Sequence, residues 1–307
     1  GHELRFVEQA LILESADLAM GCQAVSIFVN DDASEDVLQK LHSLSVGLLA
    51  LRCAGYNHVD LVAAERLKLA VVRVSEYSPF AVAEQAALLM LALNRNLLQA
   101  HSRVQQNNFL LDGLMGFDLH GKTIGIIGAG KIGEAFCKIA RGLGCQVIAN
   151  DIVHAQSFID AGGRYASLTE VAQQSDVISL HCALTPETKH LIDTNFLAQC
   201  KKGVLLINTS RGAVIDTQAA IQALQSGQLG GLGLDVYEFE AGLFFQDHSH
   251  ASVNDSVLKQ LQSMPNVILT AHQGFLTHEA FETICQTTLA SATAFENGQA
   301  LLNQIQI

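Results

Sequence analysis

Three side chains at the ends of apolar runs could carry one reaction together. The run 203–210 closes on Ser210-Arg211-Gly212, the run 231–237 is followed by Glu238-Phe239-Glu240, and the run 266–271 closes on His272. An arginine fork holds a carboxylate by two parallel hydrogen bonds and polarises a neighbouring carbonyl. A histidine can supply the proton that a reduced carbonyl oxygen needs. A carboxylate beside that histidine fixes its orientation. Arg211, His272 and an acid at Glu238 or Glu240 therefore suit reduction of a 2-keto acid by a nicotinamide. Taken singly, each has an ordinary alternative: a surface charge, a solvated loop acid, a structural histidine. What unites them is that all three fall on one edge of one sheet.

The hydride carrier has its own signature. An apolar run from Lys122 ends in Gly128, and Gly130 and Gly133 complete a G-x-G-x-x-G spacing. A second apolar run, 146–150, leads into Asp151, about twenty residues on, the interval of a dinucleotide fingerprint. Gly128 permits the tight turn, Gly130 lets the backbone approach a pyrophosphate, and Gly133 lets the helix pack close to the strand. The helix opening near Lys131 offers free N–H groups and a positive dipole end to phosphates. Asp151 suits the adenosine ribose hydroxyls and repels a 2′-phosphate, which favours NAD over NADP. The alternative is a flavodoxin-like turn without a ligand.

The elements that must position these groups follow from the apolar pattern. Strands at 24–30, 47–53 and 69–74 alternate with helices from Ser34 to about 43 and from 57 to 67, giving a small parallel sheet. Ser78 and Pro79 sit at the N-cap and first position of a long helix reaching about 98, buried between domains or subunits. A loop at 107–119 leads to the fingerprint. Strands at 176–181, 203–210, 231–237 and 266–272 follow, with helices around 194–200 and 217–225. Asp216 caps the latter helix and Gly227 stops it. The glycine-dense strand 231–237 predicts close approach of a ligand or another backbone. A closing helix starts at Thr277 and stops at Gly298. A doubly wound sheet at about 100–273 would thus follow a smaller α/β unit, to which the closing helix returns. Ligands of such sheets gather beyond the carboxyl ends of the strands.

Composition narrows the partners. The chain has 307 residues, 49% of them hydrophobic and 16% charged, enough for two domains. A net charge of −12 argues against nucleic acid or an anionic membrane. Seven scattered cysteines without a C-x-x-C pair fit free thiols in a reducing cytoplasm. No apolar run reaches a bilayer's ~18–20 residues, and no signal peptide is visible. The chain begins at Gly1 rather than Met, so a native N-terminus is expected to be missing. His248 and His250 lie two apart in a polar loop with no visible partner cluster, so they read as solvated and no metal is expected.

The sequence resembles the D-isomer-specific 2-hydroxyacid dehydrogenases over nearly its whole length, most closely the bacterial fermentative D-lactate branch. The marks are Arg52-Cys-Ala-Gly-Tyr-Asn-His-Val-Asp60, Tyr77-Ser-Pro79, the three fingerprint glycines, His181-Cys-Ala-Leu-Thr-Pro186, Asn208-Thr-Ser-Arg-Gly212, Asp235-Val-Tyr-Glu238 and His272-Gln-Gly-Phe-Leu-Thr277. Leu243-Phe-Phe245 and His272-Gln-Gly-Phe point to the lactate branch. The resemblance implies an α/β protein with a doubly wound Rossmann-type NAD-binding domain (78–274) inserted into a smaller flavodoxin-like substrate domain (1–77 plus 275–307). It implies that Arg211 binds substrate, that Glu240 pairs with the proton donor His272, and that the Ala54-Gly55 amides hold the substrate carboxylate, with Tyr77 also touching substrate. Gly128, Gly130, Lys131, Ile132, Gly133, Asp151, Cys182, Thr209 and Asp235 fall where the family binds NAD, Asp235 near the carboxamide. Cys182 has a plain alternative as packing. The expected reaction is NADH-linked reduction of pyruvate to D-lactate in a homo-oligomer, with a small-molecule substrate. Glycerate or a branched 2-hydroxy acid is the nearest rival. A dinucleotide-sensing binding protein is another, since the family includes transcriptional corepressors, although the short termini count against it. The sequence departs from the family in lacking its opening strand and helix, in Ala183 where a proline is common, and around Glu76.

Overall fold

Short apolar runs lay down the first sheet. Strands β1 (Ala24–Ile27), β2 (Leu48–Leu51) and β3 (Ala70–Arg73) are linked by helices α1 (Glu35–Ser43) and α2 (Leu61–Arg66). They pair in parallel in the order β1-β2-β3. The central strand is buried on both faces, as parallel strands are: Leu49 and Leu51 join a core with Val37, Leu38, Leu41 and Ala64, while Leu48 and Ala50 turn to the other face. The computed structural model describes residues 1–306.

The second sheet has seven strands. Helices α3 (Pro79–Asn94) and α4 (Leu97–Gln105) precede β4 (Thr123–Ile127), α5 (Lys131–Gly142), β5 (Gln146–Asn150), α6 (Gln156–Asp160), β6 (Gly163–Tyr165) and α7 (Leu168–Gln174). Then come β7 (Val177–Leu180), α8 (Thr194–Gln199), β8 (Val204–Asn208), α9 (Thr217–Ser226), β9 (Leu229–Leu234), α10 (Ser256–Ser263) and β10 (Val267–Leu269). The order is β10-β9-β8-β7-β4-β5-β6, every pairing parallel. Strand β8 shows why both faces must be covered. Val204 and Leu206 pack with Phe196, Leu197 and Ile221 on one side, whereas Leu205 and Ile207 pack with Leu89, Met90 and Phe136 on the other.

Helix α11 (His278–Glu296) starts at Thr277, whose hydroxyl accepts from the amide of Ala280. Its Ala292 and Phe295, with Leu301, cover the Leu48–Ala50–Val72 face of the three-stranded sheet. The chain thus divides into one unit of residues 1–78 and 276–307 and another of 79–275. No helix among the described residues is long and apolar enough to cross a membrane.

Three expectations need correction. The long helix to 98 is two helices, because Asn96 takes a left-handed conformation (φ +49°) between α3 and α4; asparagine tolerates that region better than most residues. The helix expected from 57 begins at Leu61, where the Asp60 carboxylate caps the amide of Ala63. Ser34 stands at the start of α1 but its side chain makes no capping bond. The glycine-dense strand also finds its explanation. A Cβ on Gly233 would lie 3.0 Å from Leu93 Cδ1 and 3.2 Å from Leu89 Cβ, so its close neighbour is helix α3.

Candidate active site

In a parallel sheet every strand ends on the same edge, so the loops after β4, β7, β8, β9 and β10 all open there. The chain leaves β4 toward β5 and β6, then returns to place β7 on the other side of β4. That reversal makes the crevice where open α/β sheets bind ligands.

The fingerprint loop lies at this point. Gly128 has φ +94°, and a Cβ on it would lie 2.5 Å from the Cys182 amide and 2.6 Å from the His181 carbonyl carbon. Only glycine lets the two loops meet. A Cβ on Gly133 would collide with the Gly128 carbonyl oxygen, whereas nothing lies within 4 Å of one on Gly130. The glycine at 130 therefore faces open space, as a position approached by a pyrophosphate must. Gly130 is also the N-cap of α5 and has no side chain to cap the first turn, leaving helix N–H groups for an anion. Lys131 and Ile132 form the first residues of that helix. Asp151 directly follows β5: its Oδ2 accepts from the Ala129 amide (2.6 Å) and its Oδ1 from the Val153 amide (2.9 Å). These bonds aim the carboxylate over the glycine loop. The Thr209 hydroxyl is buried with no hydrogen-bond partner, so it is a polar atom awaiting one. An open glycine cradle, an aimed carboxylate and an orphaned hydroxyl fit a dinucleotide. Cys182 packs against the core beside this crevice, and burial pushes its thiol up to about 11, which makes it a neutral wall rather than a nucleophile.

The reactive groups follow on β8 to β10. Asn208 is fully buried and receives the Ser210 amide and hydroxyl on Oδ1 while its Nδ2 donates to the Arg211 carbonyl (2.9 Å). That turn presents Arg211, whose Nη1 donates to the Ser210 carbonyl. A Cβ on Gly212 would collide with the Tyr237–Glu238 backbone, so the arginine turn lies directly on the loop that leads to Glu240. Glu240 accepts the Tyr237 amide on Oε2 (2.9 Å) and His272 Nδ1 on Oε1 (2.9 Å). The pair is largely buried, with side-chain exposures of 16% for His272 and 25% for Glu240. His272 has φ +53°, a strained backbone for a non-glycine residue. It is held there by its amide, which donates to the Asp235 carbonyl (2.6 Å). Phe245, also left-handed at φ +64°, sets its ring 6.0 Å from the imidazole.

Asp235 lies beneath the loop that carries His272. It is 1% exposed, and its carboxylate accepts from the Gln273 and Gly274 amides, Thr270 Oγ1 and Gln85 Nε2. It organises the His272 loop from beneath. Gln85 and Thr270 in that network carried no sequence signal, since their partners lie far along the chain. His181 was part of a motif without a role. It is half-buried, its ring packed on Phe136, its Nε2 meets Ser179 Oγ at 2.9 Å, and desolvation of the ring lowers its pKa to about 3.

Ala54, Gly55 and Tyr77 belong to the other unit. The loop after β2 is braced by Arg73, whose Nη1 donates to the Ala54 carbonyl (2.9 Å) and whose guanidinium lies 5.0 Å from the Tyr56 ring centroid. Cys53 Sγ lies 3.2 Å from the Gly55 carbonyl.

Known proteins share both sequence and fold. Residues 87–274 match the family model described as D-isomer specific 2-hydroxyacid dehydrogenase, NAD binding domain. The chain is 48% identical over 305 residues to a D-lactate dehydrogenase of Escherichia coli K12, covering 99% of this chain and 93% of that enzyme. The structure of the pyruvate reductase of Chlamydomonas reinhardtii superposes with a TM-score of 0.92 at 43% identity, over 97% of this chain and 90% of that one. A D-lactate dehydrogenase of Aquifex aeolicus, solved with NAD and lactic acid, superposes with a TM-score of 0.84 at 34% identity, over 92% and 85% of the two chains.

Proposed function

The chain belongs to the D-isomer-specific 2-hydroxyacid dehydrogenases, and from that premise we propose that it reduces pyruvate to D-lactate with NADH. It is an NAD-dependent oxidoreductase acting on the CH–OH group of D-2-hydroxy acids. One observation carries the site assignment: the His272–Glu240 pair and the Arg211 turn share a sheet edge with the glycine cradle.

When bound, NADH supplies the hydride that the keto carbon receives. The protein's residues do the rest. Arg211 holds the pyruvate carboxylate by its fork and polarises the adjacent carbonyl. An ionised carboxylate only accepts, so Glu240 fixes the proton of His272 on Nδ1. Nε2 is then the nitrogen that meets the substrate oxygen. The imidazolium donates its Nε2 proton as that oxygen gains charge, and Glu240 steadies the charged ring before transfer. In the reverse direction the neutral ring accepts the proton from D-lactate. Thr209, Cys182, Asp151 and Asp235 serve the cofactor, Asp235 near its carboxamide and as a support of the His272 loop, and Lys131 and Ile132 form the helix end that faces its phosphates. We assign the Ala54–Gly55 amides and Tyr77 to the substrate on the family likeness. We likewise take 78–274 as the NAD-binding domain and 1–77 plus 275–307 as the substrate domain.

Phe109, Leu111 and Met115, which follow α4, are exposed. Contiguous exposed apolar residues suit association, and we infer a homo-oligomer formed over this segment, checked by sedimentation. The seven cysteines are free thiols, which supports a reducing compartment, the cytoplasm. The deciding assay follows NADH oxidation with pyruvate, glyoxylate, hydroxypyruvate and branched 2-keto acids. Pyruvate should give the highest kcat/KM, with D-lactate as product. A higher value for another keto acid, or L-lactate as product, would overturn the assignment.

A further inference from the structure

A second histidine–carboxylate pair stands beside the first and has no part in the chemistry above. His190 Nε2 meets Glu238 Oε1 at 2.6 Å. The other carboxylate oxygen of Glu238 accepts from Thr217 Oγ1 (2.7 Å) and from the Thr217 amide (3.3 Å), at the start of α9. The Glu238 side chain is only 12% exposed, so its charge depends on these donors. His190 itself holds a left-handed backbone, φ +52°, a conformation kept only where the surroundings over-determine it.

The surroundings are the segment that carries Arg211. The His190 amide donates to the Ala213 carbonyl (2.8 Å), the Ile192 amide to Val214 (3.1 Å), and the Asp216 amide back to Ile192 (3.1 Å). Ile192 and Ile215 form a parallel bridge. The same segment also meets the Tyr237–Glu238 backbone at Gly212. Residues 211–216 are therefore gripped between two loops, and the His190–Glu238 bond ties those two loops together. Two residues beyond Glu238 is Glu240.

We propose that His190 and Glu238 are a positioning pair that sets Arg211 against the Glu240–His272 couple. This rests on Arg211 being the group that holds the substrate carboxylate. Neither His190 nor Glu238 need touch substrate. Cutting the tie lets the arginine turn drift from the imidazole, so carboxylate binding weakens while the glycine cradle, on another pair of strands, is undisturbed.

The test uses the full chain with His190→Ala, His190→Gln and Glu238→Gln. KM for pyruvate, kcat and the Kd for NADH, by fluorescence, are measured for each. His190→Ala should raise KM for pyruvate about tenfold, the loss of one hydrogen bond to a charged group, with Kd for NADH within about twofold. His190→Gln keeps a donor for Glu238 and should bring KM back to within about threefold of the parent. A residue that merely supports folding would lower the active fraction, and hence apparent kcat, and leave KM unchanged. An unaltered KM in His190→Ala, or in the isosteric Glu238→Gln should the alanine variant not fold, overturns the pair. Equal defects in the alanine and glutamine variants of His190 also overturn it. A parent enzyme that turns over no 2-keto acid removes the functional reading and this proposal with it, whereas normal parent turnover with indifferent variants removes the proposal alone.

Discussion

The two histidine–glutamate pairs share a loop and a chemistry but differ in which ring nitrogen is engaged. His272 offers Nδ1 to Glu240 and keeps Nε2, whereas His190 gives Nε2 to Glu238, whose second oxygen is already held by Thr217. Exposure runs against intuition: the proton donor's side chain is 16% exposed and the brace's is 39% exposed. A histidine beside an acid is therefore not yet a catalyst. The remaining nitrogen and what it faces decide the role.

The sharpest way to break this contrast is at the donor. His272→Gln should lower kcat by roughly 10²–10⁴, the worth of a positioned acid–base group; a near-normal kcat would put the proton elsewhere. Next comes the group both pairs flank. Arg211→Gln should raise KM for pyruvate by about 10–100-fold, as expected for lost charged hydrogen bonds, and steady-state kinetics with an unchanged KM would detach Arg211 from the substrate. A carboxylate with no histidine sharpens the comparison further. Asp151→Ala should narrow the NADH/NADPH preference by about tenfold, one charge contact's worth, and an unmoved ratio of kcat/KM values would contradict its assignment to the ribose.

The smallest effect concerns a histidine with no acid at all. Burial holds His181 neutral in the fold, its pKa lowered to about 3. In the unfolded chain it protonates below its ordinary value of about 6.5. The unfolded state then binds more protons, so this residue lowers stability as pH falls from about 6.5 toward about 3 and leaves it unaffected above. The loss should approach about 1.4 kcal/mol per pH unit. His181→Asn should flatten the difference between urea midpoints at pH 7 and pH 5. An identical difference in both proteins would refute the burial effect.

What the sequence made legible was local. The glycine spacing and Asp151 are read within one β-α-β stretch, and structure adds only that Gly128 must yield to Cys182 and His181. Arg211 and His272 stand out in the sequence because each follows an apolar run. Glu238 and Glu240 could not be told apart, since a loop has no period to say which side chain turns inward. His190 lies 48 residues from its acid, and no spacing rule reaches that far. The break at Asn96 is hidden because Leu97 and Leu98 resume the apolar pattern after Asn94-Arg95-Asn96, with no glycine or proline between.

The three-stranded sheet has an order of completion set by its wiring. Its strands lie within the first 73 residues, yet one face waits for Phe295 and Leu301, and its β3 edge is joined by Gln304 and Ile305. A ribosome releases those strands long before their cover. During synthesis the seven-stranded body is finished first, while Leu48, Ala50 and Val72 remain bare. Translation that stops near residue 290 would leave that apolar face open, a substrate for chaperones and proteases although most of the polypeptide is in place.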